Sequence, residues 1–229
     1  MKITDTIKYV GVNDHQVDLF EGQYKVPNGM SYNSYVILDE KVAVMDTVDA
    51  NFKDEWLENV ARVLDGAKPD YLVVQHMEPD HSASINDLCR VYPDIKIIGN
   101  SKTIGMIEGF YGIFDKFHEV KDGDRLPLGE KVLTFYMTPM VHWPETMMTY
   151  CEDDKILFSG DAFGCFGTLD GGIIDYQMNT EKYWDEMFRY YSNIVGKYGA
   201  PVQKALAKLS GIDIQIICST HGPIWKEEI

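Results

Sequence analysis

Cysteine is scarce in this chain, with four in 229 residues. Cys89, Cys151, Cys165 and Cys218 are widely spaced and form no C-x-x-C pair. That argues against a disulfide framework and fits reduced thiols in a cytoplasmic protein. Long apolar runs are missing too: none approaches the roughly 20 residues a membrane-crossing helix needs. The opening MKITDTIKYV lacks the apolar core of a signal peptide. Basic residues are few, 21 Lys and Arg against 36 Asp and Glu, for a net charge of -15. Binding phosphates takes Lys and Arg to displace counterions, so a nucleic-acid partner is not expected; a basic protein partner is compatible with the charge. No repeat, low-complexity tract or linker interrupts the chain, which reads as one domain over residues 1–229.

What is present is an alternation of strand and helix patterns. Tyr35–Leu38 and Val42–Met45 flank Asp39-Glu40-Lys41 as a hairpin. Trp56, Val60 and Leu64 recur at helical spacing and predict a helix over about Phe52–Leu64. Tyr71–Val74 reads as a buried strand, followed by a carboxylate-rich loop ending at His81 and a helix to about Val91. A strand at Ile95–Ile98 and a helix at Lys102–Phe110 follow. Strands are then expected at Lys116–Val120, Val132–Met137, Met147–Cys151 and Lys155–Phe158. Helices at Glu181–Val195 and Val202–Leu209 precede a last strand at Ile214–Ile217. Two packed sheets with helices outside them accommodate this order.

The chemistry concentrates in His76-Met77-Glu78-Pro79-Asp80-His81, where four candidate ligands crowd into six residues behind a strand. Carboxylates that close repel one another unless a cation compensates them, and imidazoles are the commonest metal donors. Three more donors follow predicted strands and are flanked by Gly or Pro: His142, Asp161 and His221. Side chains at the ends of neighbouring strands can meet at one edge of a sheet. The set offers three carboxylates and four imidazoles, too many for one tetrahedral zinc. They suit two divalent ions that share a carboxylate. No Cys lies among them, which disfavours thiolate-selected metals and leaves iron, manganese or zinc.

These residues resemble the metallo-β-lactamase-like domain of flavodiiron proteins, the diiron oxygen and nitric oxide reductases. Metallo-β-lactamase-fold hydrolases carry H-x-H-x-D-H in the first loop, whereas this chain has His76-x-Glu78-x-Asp80-His81. That Glu, with His142-Trp143-Pro144-Glu145 and Gly160-Asp161-Ala162-Phe163, looks like the diiron branch. The resemblance runs along nearly the whole chain and implies an αββα four-layer sandwich, of α/β (α+β) class. It implies two Fe ions, hydroxo- or oxo-bridged: one held by His76, Glu78 and His142, the other by Asp80, His81 and His221, with Asp161 bridging. In some family members the position of His81 does not contact iron. Flavodiiron proteins continue into a flavodoxin-like domain, whereas this chain stops at Ile229, eight residues past His221. No FMN is therefore expected in it, and it looks more like the stand-alone oxygen-binding diiron proteins.

The resemblance implies binding of O2, or NO, at a diferrous site with a peroxo-type adduct, in the service of oxygen sensing such as chemotaxis. Reduction of O2 or NO with electrons from a separate rubredoxin- or flavodoxin-like donor is the alternative, and a zinc hydrolase the third reading. A homodimer and a protein partner are expected. Around the ligands, Asp46 is expected to hydrogen-bond a ligand histidine, or else to cap a turn. Trp143 and Phe163 are placed to exclude water, or simply to pack. Tyr190 or Tyr191 could donate a hydrogen bond to a bound ligand, although a helical Tyr is more often a packing residue.

Overall fold

The structure, a computed structural model, describes residues 1–229. Two mixed β-sheets carry the fold. The first has six strands in the spatial order Ile7–Tyr9, Tyr35–Ile37, Ala43–Met45, Tyr71–Val73, Lys96–Gly99 and Phe117–Glu119. Its first three strands pair antiparallel and its last four are mutually parallel. The second sheet runs Arg125–Pro127, Val132–Met137, Met147–Cys151, Ile156–Gly160 and Ile216–Ser219, antiparallel except for the last pair.

Alternation along the strands divides the core into layers. Ala43, Met45, Val73 and Ile98 share one buried cluster with Leu133, Phe135, Phe158 and Cys218 of the other sheet. Their neighbours Val44, Leu72, Val74 and Ile97 cluster instead with the helical Trp56, Val60, Ile85 and Leu88. The period of two sends successive side chains to opposite faces, so one set packs sheet on sheet and the other packs helix on sheet. This is the expected four-layer αββα sandwich.

Local chemistry explains the boundaries. The helix Lys53–Leu64 stops where Asp65 turns left-handed at φ 46° and its N–H bonds the Ala61 carbonyl. Asn100 caps Ser101–Tyr111 by accepting from the N–H groups of Lys102 and Thr103. Three expectations are corrected. The acidic loop after Tyr71–Val73 ends earlier than His81, because Pro79 opens a one-turn helix, Pro79–Ser82, that contains Asp80 and His81; proline suits a first helical position, where its missing N–H is not needed. The segment Glu181–Val195 is not one uniform helix: Glu181–Tyr190 is α-helical and Tyr191–Val195 is a π-turn. The next helix starts at Gly199 rather than Val202, since Pro201 is tolerated in a first turn. No helix is long and apolar enough to cross a membrane.

Connections at one edge of both sheets bring the donor segments together. Residues 75–82 follow Tyr71–Val73, residues 138–146 follow Val132–Met137, Asp161 follows Ile156–Gly160, and His221 follows Ile216–Ser219. The sheets are tied there by Met147 N–H to the Gln75 carbonyl at 3.1 Å and Asn33 N–H to the Thr220 carbonyl at 2.8 Å.

Candidate metal centre

Asp161 reaches the centre through a break in strand register. The pairing of Ile156–Gly160 with Ile216–Ser219 shifts between Phe158 and Gly160, and Gly160 takes φ 58°, a left-handed conformation that glycine adopts without strain. Such a bulge re-aims the next side chain, and Asp161 is turned into the protein, 1% exposed.

Seven buried side chains converge in two sets: His76, Glu78, His142 and Asp161, and then Asp80, His81 and His221. In the first, His142 Nε2 lies 2.9 Å from Asp161 Oδ2 and 3.1 Å from Glu78 Oε2. His76 Nε2 lies 3.3 Å from Glu78 Oε2 and 3.4 Å from Asp161 Oδ2. In the second, His221 Nε2 lies 3.2 Å from Asp80 Oδ2, and His81 Nε2 lies 3.1 Å from Asp161 Oδ1. Asp161 thus turns one oxygen to each set.

The far nitrogens fix the ring orientations. His76 Nδ1 lies 2.8 Å from Glu145 Oε1, which also accepts from Met77 N–H at 2.9 Å. His221 Nδ1 lies 2.6 Å from the Ser31 carbonyl. A carboxylate and a carbonyl only accept, so both Nδ1 atoms carry the proton and both Nε2 lone pairs point inward. Thr220 Oγ1 donates to Asp161 Oδ1 at 2.5 Å.

The donors fit metal ions. The facing Nε2 atoms of His81 and His221 are 3.0 Å apart, and those of His76 and His142 are 3.3 Å apart. Two inward lone pairs that close call for a cation between them. Both oxygens of buried Asp80 lack a hydrogen-bond partner, which is costly unless an ion coordinates them. The field has the same sense. Burial alone would lower His81 and His142, yet the neighbouring carboxylates, Asp80 and Asp161 for one and Asp161 and Glu78 for the other, push each up to about 9. Burial likewise opposes the charge on Asp161, but His76, His81 and His142 hold its carboxyl well below the usual range. The pocket demands positive charge, which either protons or metal ions supply. Oxygen and imidazole donors without thiolate are compatible with iron.

The surrounding residues divide. Asp46 holds no histidine: its oxygens accept from the backbone N–H of Gln75 at 2.7 Å and its amide at 2.9 Å. The carboxylate therefore anchors the residue before His76 instead. Trp143 stands edge-on to His76, with ring centroids 5.3 Å apart. Tyr190 is buried with its ring 5.6 Å from His221, and its hydroxyl lacks a partner. Tyr191, one residue on, is 44% exposed and turns to the surface; Phe163 is 38% exposed and lines an apolar cavity beside Asp161. Sequence reading missed Glu145, Thr220 and Ser31 as supports. Glu145 stood in the quoted His142-Trp143-Pro144-Glu145 segment as a charge among apolar neighbours, a usable signal. Ser31 acts through its carbonyl, which no sequence pattern marks.

Known proteins resemble this chain in sequence and in fold. A family model described as ODP family beta lactamase matches residues 30–222. An anaerobic nitric oxide reductase flavorubredoxin of Klebsiella pneumoniae is 36% identical over 230 residues, covering 98% of this chain and 48% of the relative. The crystal structure of the flavodiiron protein from Giardia intestinalis superposes with a TM-score of 0.94 at 32% identity, over 99% of this chain and 55% of that one. Rubredoxin oxygen:oxidoreductase from Desulfovibrio gigas gives a TM-score of 0.94 at 35% identity, over 99% and 57%. The chain spans about half the length of the curated relatives it matches. By sequence and by fold, the chain belongs to the ODP family of beta-lactamase-like domains and is homologous to the diiron core of the flavodiiron proteins.

Proposed function

We propose that this chain is a non-haem diiron protein that binds O2 or NO at a diferrous centre and serves as an oxygen sensor. The observation that carries the reading is Asp161, which offers Oδ2 to one donor set and Oδ1 to the other. His76, Glu78 and His142 would hold one iron and Asp80, His81 and His221 the other, with Asp161 shared. Two ferrous ions supply two electrons and open coordination positions for a diatomic ligand. Around them Glu145 and the Ser31 carbonyl keep His76 and His221 in the metal-binding tautomer, and Thr220 steadies the shared carboxylate. Trp143 shields His76 from water. The unpartnered Tyr190 hydroxyl is free to donate a hydrogen bond to the bound molecule.

Binding requires nothing beyond these groups, whereas taking O2 to water takes four electrons and so an outside donor. The names of the Klebsiella and Desulfovibrio relatives favour a second reading, in which a separate electron-donor protein feeds reduction of NO or O2 here. The partner is a signalling protein in the first reading and that donor in the second, and a homodimer is expected in both.

Metal analysis of anaerobically purified protein, followed by stopped-flow mixing of the ferrous form with O2 and NO, tests the proposal. Two irons per chain and a gas adduct that outlives mixing without added reductant are expected. Rapid multiple turnover once a rubredoxin is added would move the assignment to the second reading. A single zinc with hydrolytic activity would sink both.

A further inference from the structure

Two openings approach the centre, and their chemistries are opposed. One is a cleft lined by Glu21, Tyr32, Asp49, Glu78 and Asp80, which is polar and acidic. The other is a cavity of about 470 Å³ walled by the helices Glu181–Tyr190 and Gly199–Leu209, and 14 of its 17 lining residues are hydrophobic. Its wall runs from the interior to the surface. Val141, Asp161 and Tyr190 are at most 3% exposed, whereas Leu206 is 44% and Phe188 75% exposed.

We propose that this apolar cavity is the route and holding site by which a neutral diatomic gas reaches the metals. The proposal rests on the O2- or NO-binding reading above. O2 and NO are small, weakly hydrated and indifferent to hydrogen bonding, so an apolar space favours them over water. Water needs two to four polar partners to stay in a cavity, and most of this wall supplies none. Polar character appears at the buried end, where Asp161 and the unpartnered Tyr190 hydroxyl lie. A gas molecule would thus leave apolar surroundings beside the shared carboxylate. The π-turn Tyr191–Val195 contributes Tyr191 and Val195 to the same wall. Its wider coil gives that break in the helix a purpose, since π-turns inside helices concentrate at functional sites.

Xenon and two variants test the cavity and the route separately. In the metal-loaded protein, xenon should shift the methyl resonances of Val141, Val195 and Val202, and Ala205→Phe, which adds a ring to the buried wall of the cavity, should abolish those shifts. Leu206→Trp, at the exposed mouth, covers the case in which the buried variant fails to fold. In stopped-flow with the ferrous protein, each variant should slow gas association and dissociation together, by on the order of tenfold, with the equilibrium affinity unchanged. Absent xenon shifts in the wild type overturn the cavity as a gas site, whatever the metals do. Xenon shifts with unaltered gas rates in both variants overturn the route. A wild-type ferrous protein that takes up no gas overturns the reading of the centre on which the route depends.

Discussion

Glu145 has one oxygen shared between the His76 ring and the Met77 N–H, and that oxygen makes a carboxylate outside the donor set a determinant of metal affinity. Glu145→Ala should weaken metal binding about 10- to 100-fold, read by competition with a chelator, because a ligand histidine loses its orienting acceptor. Tyr190→Phe should leave metal content intact and raise the gas dissociation rate by about tenfold, the equivalent of one hydrogen bond of roughly 1.4 kcal/mol. In the metal-free protein, His81 and His142 rise from 6.5 to about 9 in the folded state. A group whose pKa is raised on folding stabilises fully below its unfolded value and loses that contribution as pH climbs through the folded one. The melting temperature of metal-free protein should therefore fall between pH 6.5 and 9, and metal loading should remove the fall, since ions replace the protons. The seven donors were legible from sequence as residue types crowded behind strands. Their supports were less so: Asp46 grips Gln75 instead of a histidine, and only the folded chain shows Tyr190 turned inward and Tyr191 outward.

Among the elements, the strands with nearly continuous apolar residues were readable to the residue, as Val132–Met137 and Met147–Cys151 show. Arg125–Pro127 escaped because three residues ending in proline carry no period, and proline suits this edge position. The turn from α to π geometry after Tyr190 also left no mark in the pattern, since Tyr191–Val195 continues the helical composition. The loop between Tyr71–Val73 and Pro79 owes its shape to Asp46, which accepts both the backbone and the amide N–H of buried Gln75. Asp46→Ala should cost about 2–3 kcal/mol in urea-induced unfolding, because a buried backbone donor is left without an acceptor. If the loss stays below a few tenths of a kcal/mol, the loop is held by something else.

For the molecule as a whole, the stacking of one sheet on the other sets global stability. Phe135, fully buried between the sheets, should lower unfolding free energy by roughly 3–5 kcal/mol when replaced by alanine. The order of elements pointed to two sheets, but which strands face which became legible only through the resemblance of the motifs. The metal centre joins distant parts of the chain: residues 76–81 come from the first half, His221 follows the final strand, and its ring is seated by the carbonyl of Ser31. Biosynthesis inherits a strict order from that clasp. A nascent polypeptide still tethered to its ribosome before residue 221 has emerged has one donor set short of a histidine. Filling of that set then waits for residue 221, and chains stopped upstream of it should bind fewer ions per chain.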